Sequence, residues 1–162
     1  MDIEEVKEFI SKQSLETKVY LGADSERVTI NGESFADFSV CVVVHYDGCS
    51  GAKIFGEVTR QRDYDQRKDK PALRLFNEVM LVAELYNKLQ DSVGDRDMEI
   101  HIDINKDPQY GSSCVVQQAI GYIKSTCYDK KGNSVTPICK PDAFSASFAA
   151  DRLKRILHEQ NN

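Results

Sequence analysis

The feature that most constrains the fold is a change in hydrophobic period after residue 59. Up to that point, three runs rich in β-branched and aromatic residues follow one another with short polar stretches between them, which predicts strands. The pairs Asn31-Gly32 and Asp47-Gly48 lie between these runs and are typical of tight hairpin turns. The sequence therefore predicts an antiparallel meander with strands at residues 18–24, 35–46 and 51–59.

Beyond residue 70, helical and strand-like patterns alternate along the chain. Crossover connections through helices place the later strands parallel to the first one. Together with the meander, they predict an α/β fold: one mixed five-stranded sheet with helices on both faces, in a single domain over residues 1–162. The expected N-cap of the helix at 111–125 is Ser112 or Ser113. The predicted helices cover residues 3–13, 71–90, 111–125 and 142–158, and the last two strands cover 98–105 and 134–140.

The composition is that of a globular protein. Of the 162 residues, 41% are apolar and 29% are charged, which fits one domain. No apolar run approaches the roughly 20 residues that a membrane-spanning helix needs, and the acidic N-terminus is unlike a signal peptide. We therefore expect a cytoplasmic protein with no membrane partner. The five cysteines form no CxxC pair and the three histidines lie far apart in sequence, so a zinc site is not supported.

The distribution of charge leaves a nucleic-acid partner open. The net charge of −5 argues mildly against one, because a binder must neutralise phosphates with Lys and Arg. Residues 60–74, however, carry six Lys or Arg side chains against three Asp, a local surplus of three. This segment is either a phosphate-binding surface or a solvated loop and helix start.

Two aspartates follow two hydrophobic strands in the same way. Asp24 follows the strand in YLGADSE, and Asp103 follows the strand in IHIDINKD. In open α/β sheets, functional groups collect beyond the carboxyl ends of the strands, and two carboxylates that meet there repel each other unless a cation lies between them. Taken singly, each residue is better explained as a turn aspartate at a strand end. Their occurrence at two matching strand ends favours a shared site.

Two further aspartates lie in the predicted last helix. At about 100° per residue, Asp142 falls on the apolar stripe that is expected to pack on the sheet, whereas Asp151 falls about half a turn away, towards solvent. Asp142 is therefore either an N-terminal cap or a ligand directed at the sheet edge. The stripe consists of Ala146, Ala149, Leu153 and Ile156.

The long helix contributes two glutamates with different orientations. Glu78 lies at the margin of the apolar stripe, and Glu84 points away from it. Only Glu78 is therefore expected to reach the sheet edge. The stripe consists of Leu75, Val79, Val82, Ala83, Tyr86 and Leu89.

These segments resemble the ribonuclease H-like superfamily, and within it the YkuK-like branch of predicted ribonuclease H-related nucleases. The resemblance rests on the strand acid in GADSE, the helix acid in RLFNEVMLVAELY, the strand acid in HIDIN and the segment KPDAFSASFAADRL. Each motif is weak alone, but their order and spacing extend over residues 18–155. KPDAFSASFAADR is the most distinctive of them.

The resemblance implies a nuclease that hydrolyses phosphodiester bonds of RNA or DNA with two divalent cations. Its catalytic and metal-binding residues would be Asp24, Glu78, Asp103 and Asp142. An all-carboxylate site suits Mg²⁺ or Mn²⁺ better than Zn²⁺. We expect Asp24 to bridge the two ions, Asp103 and Glu78 to hold one ion, and Asp142 to hold the other. The expected contacts with nucleic acid are Arg62, Arg67, Lys68 and Lys140.

Two other functions remain as alternatives. The same fold can serve as a catalytically silent nucleic-acid-binding or regulatory module. A sugar-kinase or actin-like nucleotide phosphohydrolase is less well supported, because that class needs glycine-rich phosphate turns after its strand aspartates. Here Ser25-Glu26 and Ile104-Asn105 follow them.

Overall fold

The computed structural model describes residues 1–48, 50–65, 71–143, 148–153 and 155. In this part of the chain, five strands form one sheet, and three α-helices and a short closing helical segment pack around it. The closing helix is described at residues 148–153 and 155. The elements in chain order are α1 (Ile3–Ser11), β1 (Lys18–Ile30), β2 (Glu33–His45), β3 (Ala52–Arg62), α2 (Ala72–Val93), β4 (Asp97–Asn105), α3 (Val116–Thr126) and β5 (Ile138–Lys140).

The strand order is β3-β2-β1-β4-β5, which confirms the predicted mixed sheet. β1 pairs antiparallel with β2, and β2 with β3, whereas β4 lies parallel to β1 and to β5. Asn31 and Gly32 join β1 to β2, both with positive φ (51° and 84°). A two-residue turn with this backbone matches the twist of the strands it connects, so the predicted hairpin is confirmed.

The structure corrects three local predictions. β1 does not end at Asp24 but runs on to Ile30, because its polar second half pairs with β2 through backbone hydrogen bonds. Neither predicted serine caps α3. The Ser112 hydroxyl instead accepts a hydrogen bond from the backbone N–H of Asn105 at 3.1 Å, and the helix begins at Val116 without a side-chain cap. Asp142 lies in a turn after β5 and not in a helix.

The two faces of the sheet differ greatly in the size of the core they support. Side chains alternate along a strand, so Val19, Leu21 and Ala23 of β1 share one face. They belong to the main apolar cluster, together with residues of α1, α2 and α3. The opposite face has a small cluster of Cys41, Val43, Ala149 and Ala150, with Tyr20 packed against it.

The closing helix lies very close to the sheet. A Cβ added at Gly56 of β3 would come within 2.6 Å of Leu153 Cδ2 and within 2.8 Å of the carbonyl oxygen of Val40. Only glycine at position 56 leaves room for the Leu153 side chain so close to the backbone of β3. The small residues Gly56, Ala149 and Ala150 therefore allow this helix to approach the strands.

The described cysteines are mostly buried, as expected for structural thiols. Cys41, Cys127 and Cys139 are buried, and burial raises the pKa of each thiol, that of Cys41 to about 12. Cys114 is exposed. Among the helices described, none combines the length and the apolarity needed to cross a membrane.

Candidate metal centre

Asp24 and Asp103 occupy neighbouring positions on adjacent parallel strands. The last registered pairs between β1 and β4 are Gly22 with His101 and Ala23 with Ile102, and the two aspartates follow directly. Neighbouring strands lie about 4.8 Å apart, so the two side chains start close together. Both lie on the sheet face that carries the closing helix, because the residues before them, Ala23 and Ile102, belong to the main core on the other face.

A cavity of about 450 Å³ opens over this pair of aspartates. Asp151 of the closing helix also lines it, and so does Lys140 at the end of β5. The Lys140 Nζ lies 2.5 Å from Asp103 Oδ1. Asp151 is about half exposed and pairs with Arg155 at 3.0 Å. The remaining lining residues are Pro141, Ala143 and Phe148.

The structure does not bring Asp142 into this cavity. Asp142 is exposed in the turn after β5, and its N–H donates to the carbonyl of Cys139 at 3.0 Å. The prediction placed Asp142 in the closing helix, but it lies in a turn after β5. Asp151 was predicted to point towards solvent, but it is about half exposed and lines the cavity. The pair Ala149-Ala150 just before Asp151 was the available signal, since two small residues permit close packing of a helix on a sheet.

Glu78 approaches the aspartates from the opposite face of the sheet. It lies on α2, only 4% exposed, and accepts a hydrogen bond from the Ser25 hydroxyl. Burial raises the pKa of Glu78 well above its ordinary value. The negative charges of Asp24 and Asp103 raise it further, while the Ser25 hydrogen bond and the charge of Arg74 lower it. Glu78 is therefore near enough to Asp24 and Asp103 for their charges to act on its carboxyl group.

The predicted difference between the two glutamates of α2 is confirmed. Glu84 lies on the exposed side of the helix and pairs with Lys88 at 2.6 Å. An exposed pair of this kind contributes little to stability. Glu78, in contrast, is buried.

The basic segment at residues 60–74 makes mostly internal contacts where it is described. Arg60 forms two 2.6 Å hydrogen bonds to Asp37, and Arg62 pairs with Glu33 at 3.0 Å. Arg62 remains more than half exposed. Arg67 and Lys68 lie outside the described residues. The predicted contacts of Arg62, Arg67, Lys68 and Lys140 with nucleic acid therefore stay predictions.

The chemistry of the donors suits a hard divalent cation. Every acidic group at the site offers carboxylate oxygen. Burial is the main cause of the raised pKa of Glu78, and a bound cation would offset the smaller contribution from the charges of Asp24 and Asp103. Among the described residues, no three His, Cys, Asp or Glu side chains converge on one ion position as they stand. Side-chain rotation would thus have to accompany metal binding.

One comparison with known proteins gives a match. The family model described as Ribonuclease H-like matches residues 2–155, nearly the whole chain. No curated protein and no solved structure matches this chain.

Proposed function

The chain belongs to the ribonuclease H-like family, and on that premise we propose that it is a nuclease that hydrolyses phosphodiester bonds of RNA or DNA with Mg²⁺ or Mn²⁺. Membership of this family associates the chain with nucleic-acid-related function. The metal dependence, the catalytic residues and the YkuK-like branch are part of the proposal.

The observation that carries the proposal is that acids from β1, β4, α2 and the closing helix lie around one region of the sheet. Asp24 and Asp103 are neighbours on β1 and β4, Asp151 lines the same cavity from the closing helix, and Glu78 lies behind them on α2. Like charges in one region of the sheet repel one another. A bound divalent cation would relieve that repulsion, which supports a cation-binding role.

Asp24, Glu78 and Asp103 are the proposed ligands that the sequence pattern and the geometry share. Asp151 replaces Asp142 as the fourth, because it lines the cavity and Asp142 does not. Two ions, when bound, would lower the pKa of an attacking water and stabilise the leaving oxygen. The Lys140 ammonium would contact a phosphate oxygen, since it lies in the cavity and is about half exposed.

Metal binding is tested by titration calorimetry with Mn²⁺ and Mg²⁺ on the full chain. Because metal binds only the folded state, either ion at millimolar concentration is expected to raise the melting temperature, and EDTA to reverse the shift. Calorimetry that detects no binding of either ion contradicts the proposal.

Cleavage is tested with two matched pairs of variants on single-stranded and duplex RNA and DNA in Mn²⁺. Glu78→Gln is expected to reduce cleavage to the metal-free level, and Glu84→Gln to leave it unchanged. In the same way, Asp151→Asn is expected to be inactive and Asp142→Asn active. An inactive Asp142→Asn with an active Asp151→Asn would restore Asp142 as the fourth ligand.

A catalytically silent binding module is the second candidate. The 2.5 Å ion pair between Lys140 and Asp103 favours it, because an ammonium group then takes part of the role that a divalent ion would have. The same experiments separate the two functions. A silent module binds nucleic acid without cleaving it, and its affinity does not depend on Mn²⁺.

A further inference from the structure

Ser25 links the two faces of the sheet at the candidate site. It directly follows Asp24 on β1, so its side chain lies on the opposite face from that of Asp24. There it is 7% exposed and donates a hydrogen bond to Glu78 Oε1. A buried hydrogen bond to a carboxylate is stronger than one between neutral groups and has a definite direction. Ser25 therefore restrains one oxygen of Glu78.

Arg74 determines the direction in which the Ser25 hydroxyl points. It lies one turn before Glu78 on α2, and its Nη1 donates to Ser25 Oγ at 2.7 Å and to the Ser25 carbonyl at 2.5 Å. A guanidinium can only donate, so the Ser25 oxygen must accept from it. The single hydroxyl proton of Ser25 is then left for Glu78. The three side chains form a hydrogen-bonded chain from Arg74 through Ser25 to Glu78.

The start of α2 is itself held in place by a distant carboxylate. Pro71 supplies no side-chain cap, and the Asp65 carboxylate instead accepts hydrogen bonds from the backbone N–H groups of Leu73 and Arg74 at 2.9 and 2.8 Å. A negative charge at this position also stabilises the helix N-terminus. These hydrogen bonds hold the first turn of α2, from which the Arg74 side chain extends, against Asp65.

The position of Arg74 carries a cost. Its Nε is buried and finds no acceptor among the described residues. A buried donor without a partner destabilises the fold, because it has lost its hydrogen bond to water. Packing alone does not explain a partly buried arginine at this position, because an apolar side chain would fill the same volume without leaving a donor unpaired. The contacts with Ser25 and the charge near Glu78 are what the arginine adds.

We propose that Ser25 and Arg74 are positioning residues that hold Glu78 Oε1 and leave its second carboxylate oxygen for a divalent cation. The inference rests on the proposed function, because this positioning matters only if Glu78 holds a cation. Partners of metal ligands typically contribute about 10–100-fold to metal affinity, since they orient the ligand before the ion arrives.

Ser39 provides a matched control for Ser25. It lies directly opposite Asp24 on β2, is fully buried, and donates to the backbone carbonyl of Asp24 at 3.2 Å. Ser39 and Ser25 thus share residue type, sheet and burial. Only Ser25 bonds to a carboxyl side chain among the contacts described for the two.

The test measures Mn²⁺ affinity by calorimetry, the melting temperature in EDTA, and kcat and KM for the full chain. Ser25→Ala is expected to weaken Mn²⁺ binding by about 10–100-fold and to lower kcat more than it raises KM. Ser39→Ala is expected to keep the parent affinity. Ser25→Thr restores most of the affinity, because it retains the hydroxyl group.

Each outcome discriminates between the two hypotheses. If the parent binds Mn²⁺ and Ser25→Ala binds it as tightly as Ser39→Ala does, the positioning role is wrong while the proposed function stands. If the parent binds no Mn²⁺, both fall. Should Ser25→Ala not fold, Arg74→Lys tests the hydrogen-bonded chain instead, because lysine keeps the charge but not the forked donor geometry. An unchanged Mn²⁺ affinity in Arg74→Lys also overturns the inference.

Discussion

Glu78 and Asp151 reach the same pair of strand aspartates from opposite faces of the sheet, but they are held in different ways. Glu78 is buried beneath a helix whose apolar stripe packs into the main core, and Ser25 and Arg74 restrain it. Asp151 lies on a helix that packs through alanines and Leu153 onto a small cluster. It is about half exposed and pairs with Arg155. One acid is therefore preorganised, and the other has freedom to adjust.

The largest expected effect comes from changing the length of each side chain. Glu78→Asp withdraws the carboxyl group from the position in which the hydrogen bonds of Ser25 and Arg74 hold it. It should weaken Mn²⁺ binding by about 10–100-fold or more. Asp151→Glu should cause a smaller loss, because its half-exposed surroundings leave room for one more methylene. Calorimetry on both variants gives the comparison, and equal losses would show that the two acids are equally constrained.

The second effect concerns the packing of the closing helix. Gly56→Ala places a methyl group against Leu153 and should destabilise the fold by about 1–3 kcal/mol in denaturant unfolding, as overpacking does. The control is Gly121→Ala on α3, where an added Cβ meets nothing within 4 Å. That change should stabilise by about 0.5–1 kcal/mol, since alanine is the better helix former. A neutral Gly56→Ala would mean that the closing helix moves away from β3 at little cost.

The third effect is a pH dependence that belongs to the buried acid. Native Glu78 keeps its proton above the pH near 4.5 at which the unfolded chain releases it. Its contribution to the stability of the metal-free protein is therefore fully present below about 4.5 and is lost as the pH rises through the raised pKa.

Melting temperatures measured in EDTA from pH 4.5 upwards test this dependence. Glu78→Gln should flatten the decline of the melting temperature, and Glu84→Gln should retain the slope of the parent protein. If the decline is as steep in Glu78→Gln as in the parent, another group causes it.

The smallest expected effect is a change in the salt dependence of nucleic-acid affinity. It tests which of two surfaces binds the nucleic acid. Neutralising Arg62, Arg67 and Lys68 together tests the basic segment at residues 60–74, and Lys140→Gln tests the cavity beside the closing helix. Removal of one phosphate-binding charge should flatten the slope of log affinity against log salt by about 0.7–0.9. If both variants keep the parent slope, the binding surface lies elsewhere, and Lys124, Lys130 and Lys131 are the next candidates.

The sequence by itself determined most of the elements, the mixed five-stranded sheet and three of the proposed ligands. Strand patterns and the Asn31-Gly32 turn are local properties of the chain, and α2 is long enough for its period to separate Glu78 from Glu84. Asp24 and Asp103 were recognisable because each follows a hydrophobic strand, although β1 continues to Ile30.

Only the tertiary structure gives grounds for proposing Asp151 in place of Asp142 and positioning roles for Ser25 and Arg74. Nothing in the local pattern showed that the chain turns at Asp142 before the closing helix, or that Asp151 lines the cavity. Ser25 and Arg74 lie 49 positions apart, and their hydrogen bonds exist only because α2 packs on β1. A contact across that separation leaves no period in the sequence, because it is made by packing and not by neighbouring residues.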